Sequence, residues 1–205
     1  MKIKLAILFT LCLAAAGLDA RAQTAAAEAA ADGPAKSPGI RLKALDGKTY
    51  DTASMPGEVV VASFGATWCA PCIWELKAIE ELMEEYGGKP VRFLWISIED
   101  ERRTPDGVLK KFAKQYRLTL PVLRDDGATF AQFSDSRRIP FVVFFDAAGR
   151  FAAPPHRGMA SEPIQYKQMV RRRVDALLLA AAQGPKAAGD NKAAGGHAAA
   201  PPSQD

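Results

Sequence analysis

Cys69-Ala70-Pro71-Cys72 places two sulfur nucleophiles with two residues between them, directly after Trp68. The pair follows the apolar, β-branched run Val59 to Phe64 and opens a stretch whose apolar residues Leu76, Ile79, Leu82, Met83 and Tyr86 recur at the spacing of one helix face. At a helix N-terminus the free N–H groups and the macrodipole favour negative charge. Cys69 is expected there with its sulfur partly exposed. Thiols so placed ionise at about pH 3.5–7.5 rather than near ~8.5. Cys72, one turn later, is expected to be more buried and close enough to close a small disulfide. The chemistry this arrangement suits is exchange: Cys69 attacks a partner's disulfide and Cys72 resolves the mixed intermediate. Pro71 fits the first helical turn, where its missing N–H costs nothing. Two blander readings compete. A purely structural disulfide closes so small a loop that little chain entropy is removed. Half of a four-cysteine zinc site needs a second pair, and the chain has three cysteines in all.

Glu75 is the next candidate. It lies three residues after Cys72 on the same helix face. Burial there raises its pKa and lets it exchange a proton with Cys72; the competing reading is a solvated helix residue.

The elements that position these groups alternate. Ile40 to Leu45 and Lys48 to Tyr50 flank Asp46-Gly47, a hairpin turn signal. Strands are expected at 59–64, 91–98 and 141–145, with a short one at 120–123. Helices are expected over 72–86, stopped by Gly87-Gly88, around Leu109 to Tyr116, opened by Thr104-Pro105-Asp106, and over a final amphipathic stretch from Ile164 to Ala181. A short helical turn is expected at 129–133. The pattern implies an α/β fold with a mixed central sheet flanked by helices and preceded by a β-hairpin.

The chain has 205 residues and a net charge of +4, too mild a balance to argue for a nucleic-acid partner, and two histidines leave little for a His-rich metal site. Lys2 and Lys4, an apolar run from Leu5 to Leu18, and Ala20-Arg21-Ala22 read as a signal peptide cleaved after Ala22. The run is short against the roughly 20 apolar residues that span a bilayer; an uncleaved N-terminal tether is the alternative. Cys12 follows Leu11, which is not small, so lipidation is not expected. Cleavage leaves Cys69 and Cys72 as the two cysteines of an exported chain, in a compartment where thiols oxidise unless something reduces them. Residues 23–38 read as a flexible Ala-rich linker, 39–182 as the folded domain, and 183–205, including His197, as a disordered Ala/Gly/Pro tail.

Phe64-Gly65-Ala66-Thr67-Trp68-Cys69-Ala70-Pro71-Cys72, with Ile139-Pro140 and the leading hairpin, resembles the thioredoxin superfamily. More narrowly it is similar to the exported TlpA/ResA/CcmG group of thiol-disulfide oxidoreductases, over about residues 39–180. The resemblance implies a redox-active Cys69–Cys72 disulfide, a cis Pro140 facing it, and backbone groups of Ile139 that pair with an extended partner segment. Cytoplasmic thioredoxins usually carry a buried Asp six residues before the first cysteine; here Ser63 stands there, which supports proton handling by Glu75. Lys77 stands where members of the group often have Pro, so a straighter helix is expected. Trp68 is expected to shield the helix end at the partner-binding surface.

The resemblance also implies partners: client proteins with disulfides, in cytochrome c or cytochrome oxidase maturation, and a membrane-embedded thiol reductant as electron donor. The location implied is periplasmic. No cofactor is required, because the dithiol carries two electrons. A disulfide-forming oxidant is the second reading, weakened because Ala70-Pro71 supplies no positive group to stabilise the thiolate. A copper-carrying module using the same cysteines is the third. Elsewhere the expectations are plain. Trp74 and Trp95 are read as core or sheet-face residues, and Glu99, Asp100 and Glu101 as a solvated strand end. Arg137 and Arg138 are assigned to a solvated loop, His156 and Met159 to a loop around Gly158, and Arg171 to Arg173 to a charged outer face.

Overall fold

A computed structural model describes residues 37–159 and 163–184. The expected signal peptide, most of the linker and most of the tail lie outside the described residues. From Gly39 onward the chain runs β1 (Arg41–Lys43), β2 (Thr49–Asp51), β3 (Val59–Gly65), α1 (Ala70–Glu85), β4 (Val91–Ser97), α2 (Asp106–Gln115), β5 (Val122–Arg124), β6 (Phe141–Phe145), β7 (Phe151–Arg157) and α3 (Pro163–Ala182). Single 3-10 turns occupy Thr52–Ser54 and Phe130–Gln132. The main sheet has the order β5-β4-β3-β6-β7, with β3, β4 and β5 parallel and β6 and β7 antiparallel to their neighbours. This is the expected mixed sheet.

The period-2 alternation of β3 assigns its side chains to two layers. Val59 and Val61 face one cluster together with Leu76, Ile79 and Leu82 of α1, Leu109 and Phe112 of α2, and Val170 and Val174 of α3. Val60, Ala62 and Phe64 face the other, built with Ile40 and Leu42 of the hairpin, Phe130 and Phe141. Every residue of β3 is buried, as a strand covered on both faces must be. The hairpin is tied to the main sheet by a bridge between Ala44 and Leu123.

Several expectations need correction. Trp74 is 59% exposed, because Cys72, Glu75, Leu76, Ile79 and Leu82 occupy the inward face of α1 and Trp74 points away from it. Ile164, in the first turn of α3, is exposed. His156 lies in β7, paired with Val142, rather than in a loop. Its strand carries Pro154 and Pro155, tolerated because β7 is at the sheet edge. Arg171 and Arg173 are not merely solvated: Arg171 forms a two-point ion pair with Glu85, and Arg173 lies over the Phe144 ring and donates to the Pro154 carbonyl.

Candidate active site

Strand β3 ends at Gly65, and after three intervening residues the chain enters α1 with Cys69 as its N-cap. Cys69 and Cys72 form a disulfide, with Cα atoms 5.2 Å apart. The backbone N–H of Cys72 also donates to Cys69 Sγ at 3.3 Å. Such a donor, one of the free N–H groups of the first turn, stabilises a thiolate at Cys69 once the disulfide is reduced. Burial is unequal: Cys69 retains 6% exposure and Cys72 none. Both pack with Ala66 and against Ile98 and Ile139. The Ile139–Pro140 peptide is cis, and the Pro140 carbonyl accepts from the Gly158 N–H. Trp68 is 71% exposed beside the disulfide.

Gly65 is required by close approach. A Cβ at this position would lie 2.6 Å from Trp95 Nε1 and 3.3 Å from Cys72 Cβ. The indole and the buried cysteine therefore sit against bare backbone.

Glu75 is fully buried under the dithiol helix, which removes the reading of a solvated residue. Ser63, whose odd position in β3 aims it at the helix layer, donates its hydroxyl to Glu75 Oε2 at 2.6 Å. Desolvation pushes the Glu75 pKa up to about 7, against the opposing pull of Ser63 and of the Tyr166 hydroxyl beside it. At neutral pH this carboxyl is poised to give or take a proton.

Glu99 anchors the loop that leads into the dithiol, a role the sequence reading missed. It is not a solvated strand end. Its carboxylate accepts from the Thr67 N–H and Thr67 hydroxyl, both at 2.8 Å, from the Ser97 hydroxyl at 3.0 Å and from the Thr104 hydroxyl at 3.2 Å. It thereby pins the loop before Trp68 to the end of β4. Its partners come from three segments, so no local spacing signals it. Arg137 also has a fixed place, donating to the Ile98 carbonyl at 2.9 Å. Between them runs a groove of about 950 Å³ lined by Trp68, Ile98, Glu99, Arg102, Asp126 and Arg137. It abuts the disulfide through Ile98.

The carboxylates of this region do not gather into a metal site: among the described residues no three His, Cys, Asp or Glu side chains form a metal-binding group. His156 stands on the helix side of the sheet beside Tyr166, and Met159 packs against the helix-side core.

Comparison with known proteins agrees with this geometry. The Redoxin family model matches residues 29–153. The chain belongs to the Redoxin family. Curated relatives named thioredoxin-like and ResA, and solved thiol:disulfide interchange proteins, are similar to it. It is 31% identical over 99 residues to the thioredoxin-like protein YneN of Bacillus subtilis, a stretch covering 48% of this chain and 57% of that one. It is 28% identical over 115 residues to the thiol-disulfide oxidoreductase ResA of Bacillus thuringiensis subsp. konkukian, covering 56% and 64%. The matched stretches therefore span less than two thirds of these relatives. Among solved structures, a thioredoxin-family thiol:disulfide interchange protein from Chlorobium tepidum superimposes with a TM-score of 0.58 at 23% identity, over 71% of this chain and 97% of that one. The structure of MTB dsbF, in mixed oxidised and reduced forms, superimposes with a TM-score of 0.56 at 26% identity, over 70% and 98%. The fold is thioredoxin-like.

Proposed function

We propose that this protein is an exported thiol-disulfide oxidoreductase that reduces disulfides of client proteins. One observation carries the reading: two cysteines closed into a disulfide at the N-terminus of α1, the first capping the helix and the second buried beneath it. In the reduced protein the Cys69 thiolate attacks one sulfur of a client disulfide. A Cys69–client disulfide forms and one client sulfur leaves as a thiolate, which takes up a proton. Cys72 then loses its proton to Glu75 and attacks Cys69 Sγ. The second client sulfur leaves as a thiolate that takes up a proton, so the client gains two electrons and two protons and the protein is left oxidised as the Cys69–Cys72 disulfide. A donor dithiol, in a membrane-embedded reductant, reverses the sequence and restores both thiols. Glu75 suits its role because a carboxyl near neutrality can serve in both directions.

The client segment is assigned to the groove beside Trp68, extended along the backbone of Ile139 in the manner of an added strand. Reduction is favoured over oxidation because no basic residue stands in the first turn of α1, so the thiolate draws its stabilisation from the helix end alone. The periplasm is the assigned location, from the signal sequence at residues 1–22; among the described residues no helix is long and apolar enough to cross a membrane. Maturation of c-type cytochromes or of cytochrome oxidase is the client pathway we assign, on the sequence resemblance to the TlpA/ResA/CcmG group alone.

The test is a trap combined with a potential. Cys72→Ser should accumulate mixed disulfides through Cys69, identifiable by mass spectrometry, and Cys69→Ser should abolish insulin reduction. A reduction potential at or below about −250 mV supports the reductant, whereas one near −120 mV makes the protein an oxidant.

A further inference from the structure

Beneath the disulfide, the helix-side face of the sheet carries polar groups that the reaction above does not use. Strand pairing sets Ser63 beside Trp95 on one side and Val142 on the other, and Val142 beside His156. Because directly paired residues share a face, this row runs across β4, β3, β6 and β7 on the helix side. Glu75 from α1 and Tyr166 from α3 come down on it. Tyr166 is wholly buried, one turn before Val170 and two before Val174 on the inward stripe of α3. Four buried polar atoms of this group, Glu75 Oε1, Tyr166 Oη, Trp95 Nε1 and His156 Nε2, have no partner in good hydrogen-bond geometry among the described residues, although the Tyr166 hydroxyl lies near enough to Glu75 to lower its pKa.

Such a set is unusual, since buried polar atoms are nearly always paired. A protonated Glu75 accepting from Ser63 tolerates a lone oxygen far better than a carboxylate does. Once ionised, Glu75 needs a donor on Oε1, and the neighbouring phenol is a group built to supply one. We propose that Tyr166 is the positioning residue for Glu75, its hydroxyl turning to donate to Oε1 when the carboxyl loses its proton. The proposal rests on the reading that Glu75 handles the proton of Cys72. The groups that act on this carboxyl are Ser63 of β3 and Tyr166 of α3, with Trp95 beside Ser63 in the sheet and Cys72 one helical turn before it on α1. Beyond Tyr166 stand His156 of β7, its ring centroid 6.1 Å from that of Tyr166, and the Arg173 guanidinium. Burial and Arg173 both depress the His156 pKa, so at neutral pH the ring is uncharged and does not compete for the Glu75 charge. Tyr166 itself is held well above its ordinary pKa by burial and by Glu75, so it stays a donor throughout.

The experiment is a direct titration of the Glu75 carboxyl by carbon-13 NMR in the disulfide form of the full chain. Losing a charge-assisted hydrogen bond in Tyr166→Phe should move the Glu75 midpoint upward by about one pH unit. Site-specific 3-fluorotyrosine at position 166, a stronger donor of the same shape, should move it downward. A midpoint unchanged by both replacements overturns the proposal. The thiol reaction is read separately. If Glu75→Gln leaves the pH profile of Cys72 alkylation untouched, the catalytic role of Glu75 fails while a shifted carboxyl titration still upholds Tyr166 as its partner.

Discussion

Replacing Glu75 by Gln should make the oxidised protein more stable, and only above acidic pH. In the folded chain the carboxyl is buried, bonded through one oxygen to Ser63 and raised from about 4.5 to about 7. In the unfolded chain it titrates as an ordinary glutamate. Below the unfolded pKa both states hold the proton and the residue is neutral to stability. Between the two values the folded state binds a proton that the unfolded state has released, so stability falls as pH rises; above about 7 the loss is complete. Two and a half pH units at about 1.36 kcal/mol each amount to about 3 kcal/mol. Gln keeps the size and still accepts from Ser63 but carries no charge to desolvate. Urea unfolding of the disulfide forms should therefore give nearly equal stabilities near pH 4 and a variant about 3 kcal/mol more stable near pH 9. The disulfide keeps both thiols out of the titration, and other groups cancel between the two proteins. A stability difference that does not change with pH would refute the argument, because it would mean that Glu75 carries no buried charge above neutrality.

Further outcomes follow from the same contacts. Gly65→Ala should cost about 1–3 kcal/mol in urea unfolding, because its Cβ would sit 2.6 Å from Trp95 Nε1. Glu99→Ala removes the acceptor of four hydrogen bonds to Thr67, Ser97 and Thr104. It should cost about 1–3 kcal/mol and raise amide exchange at residues 66–68. Trp68→Ala should slow reduction of a protein disulfide severalfold, yet leave the reaction with dithiothreitol unchanged, if the exposed indole acts as a contact for a protein partner, as we propose. Equal slowing of both reactions would count against that role.

The elements that carry the fold were legible where the signal is local. The largely apolar runs of β3, β4 and β6 and the one-sided face of α1 are determined within a few residues. So was the dithiol, because a helix end acts on the residues that form it. What escaped depended on distant partners or on edges. Strand β7 reads poorly because two prolines interrupt Phe151–Arg157, and an edge position makes them acceptable. The apolar character of Trp74 suggests core, but the phase of α1 turns Trp74 outward and its neighbour Glu75 inward. Glu99 sits among Asp100 and Glu101 in an acidic run, and nothing in that run distinguishes it from a solvated neighbour; its meaning comes from Thr67, 32 residues away. Tyr166 likewise gains significance only when strand pairing aligns Ser63, Val142 and His156 below it.

Alkylation of the fully reduced protein by iodoacetamide across pH, with each cysteine resolved by mass spectrometry, tests the central claim most directly. Cys69 should be the reactive thiol, half-ionised somewhere in the range of about pH 3.5–7.5, with buried Cys72 modified far more slowly. Two thiols equally inert at pH 7, or a Cys72 that reacts first, would contradict it.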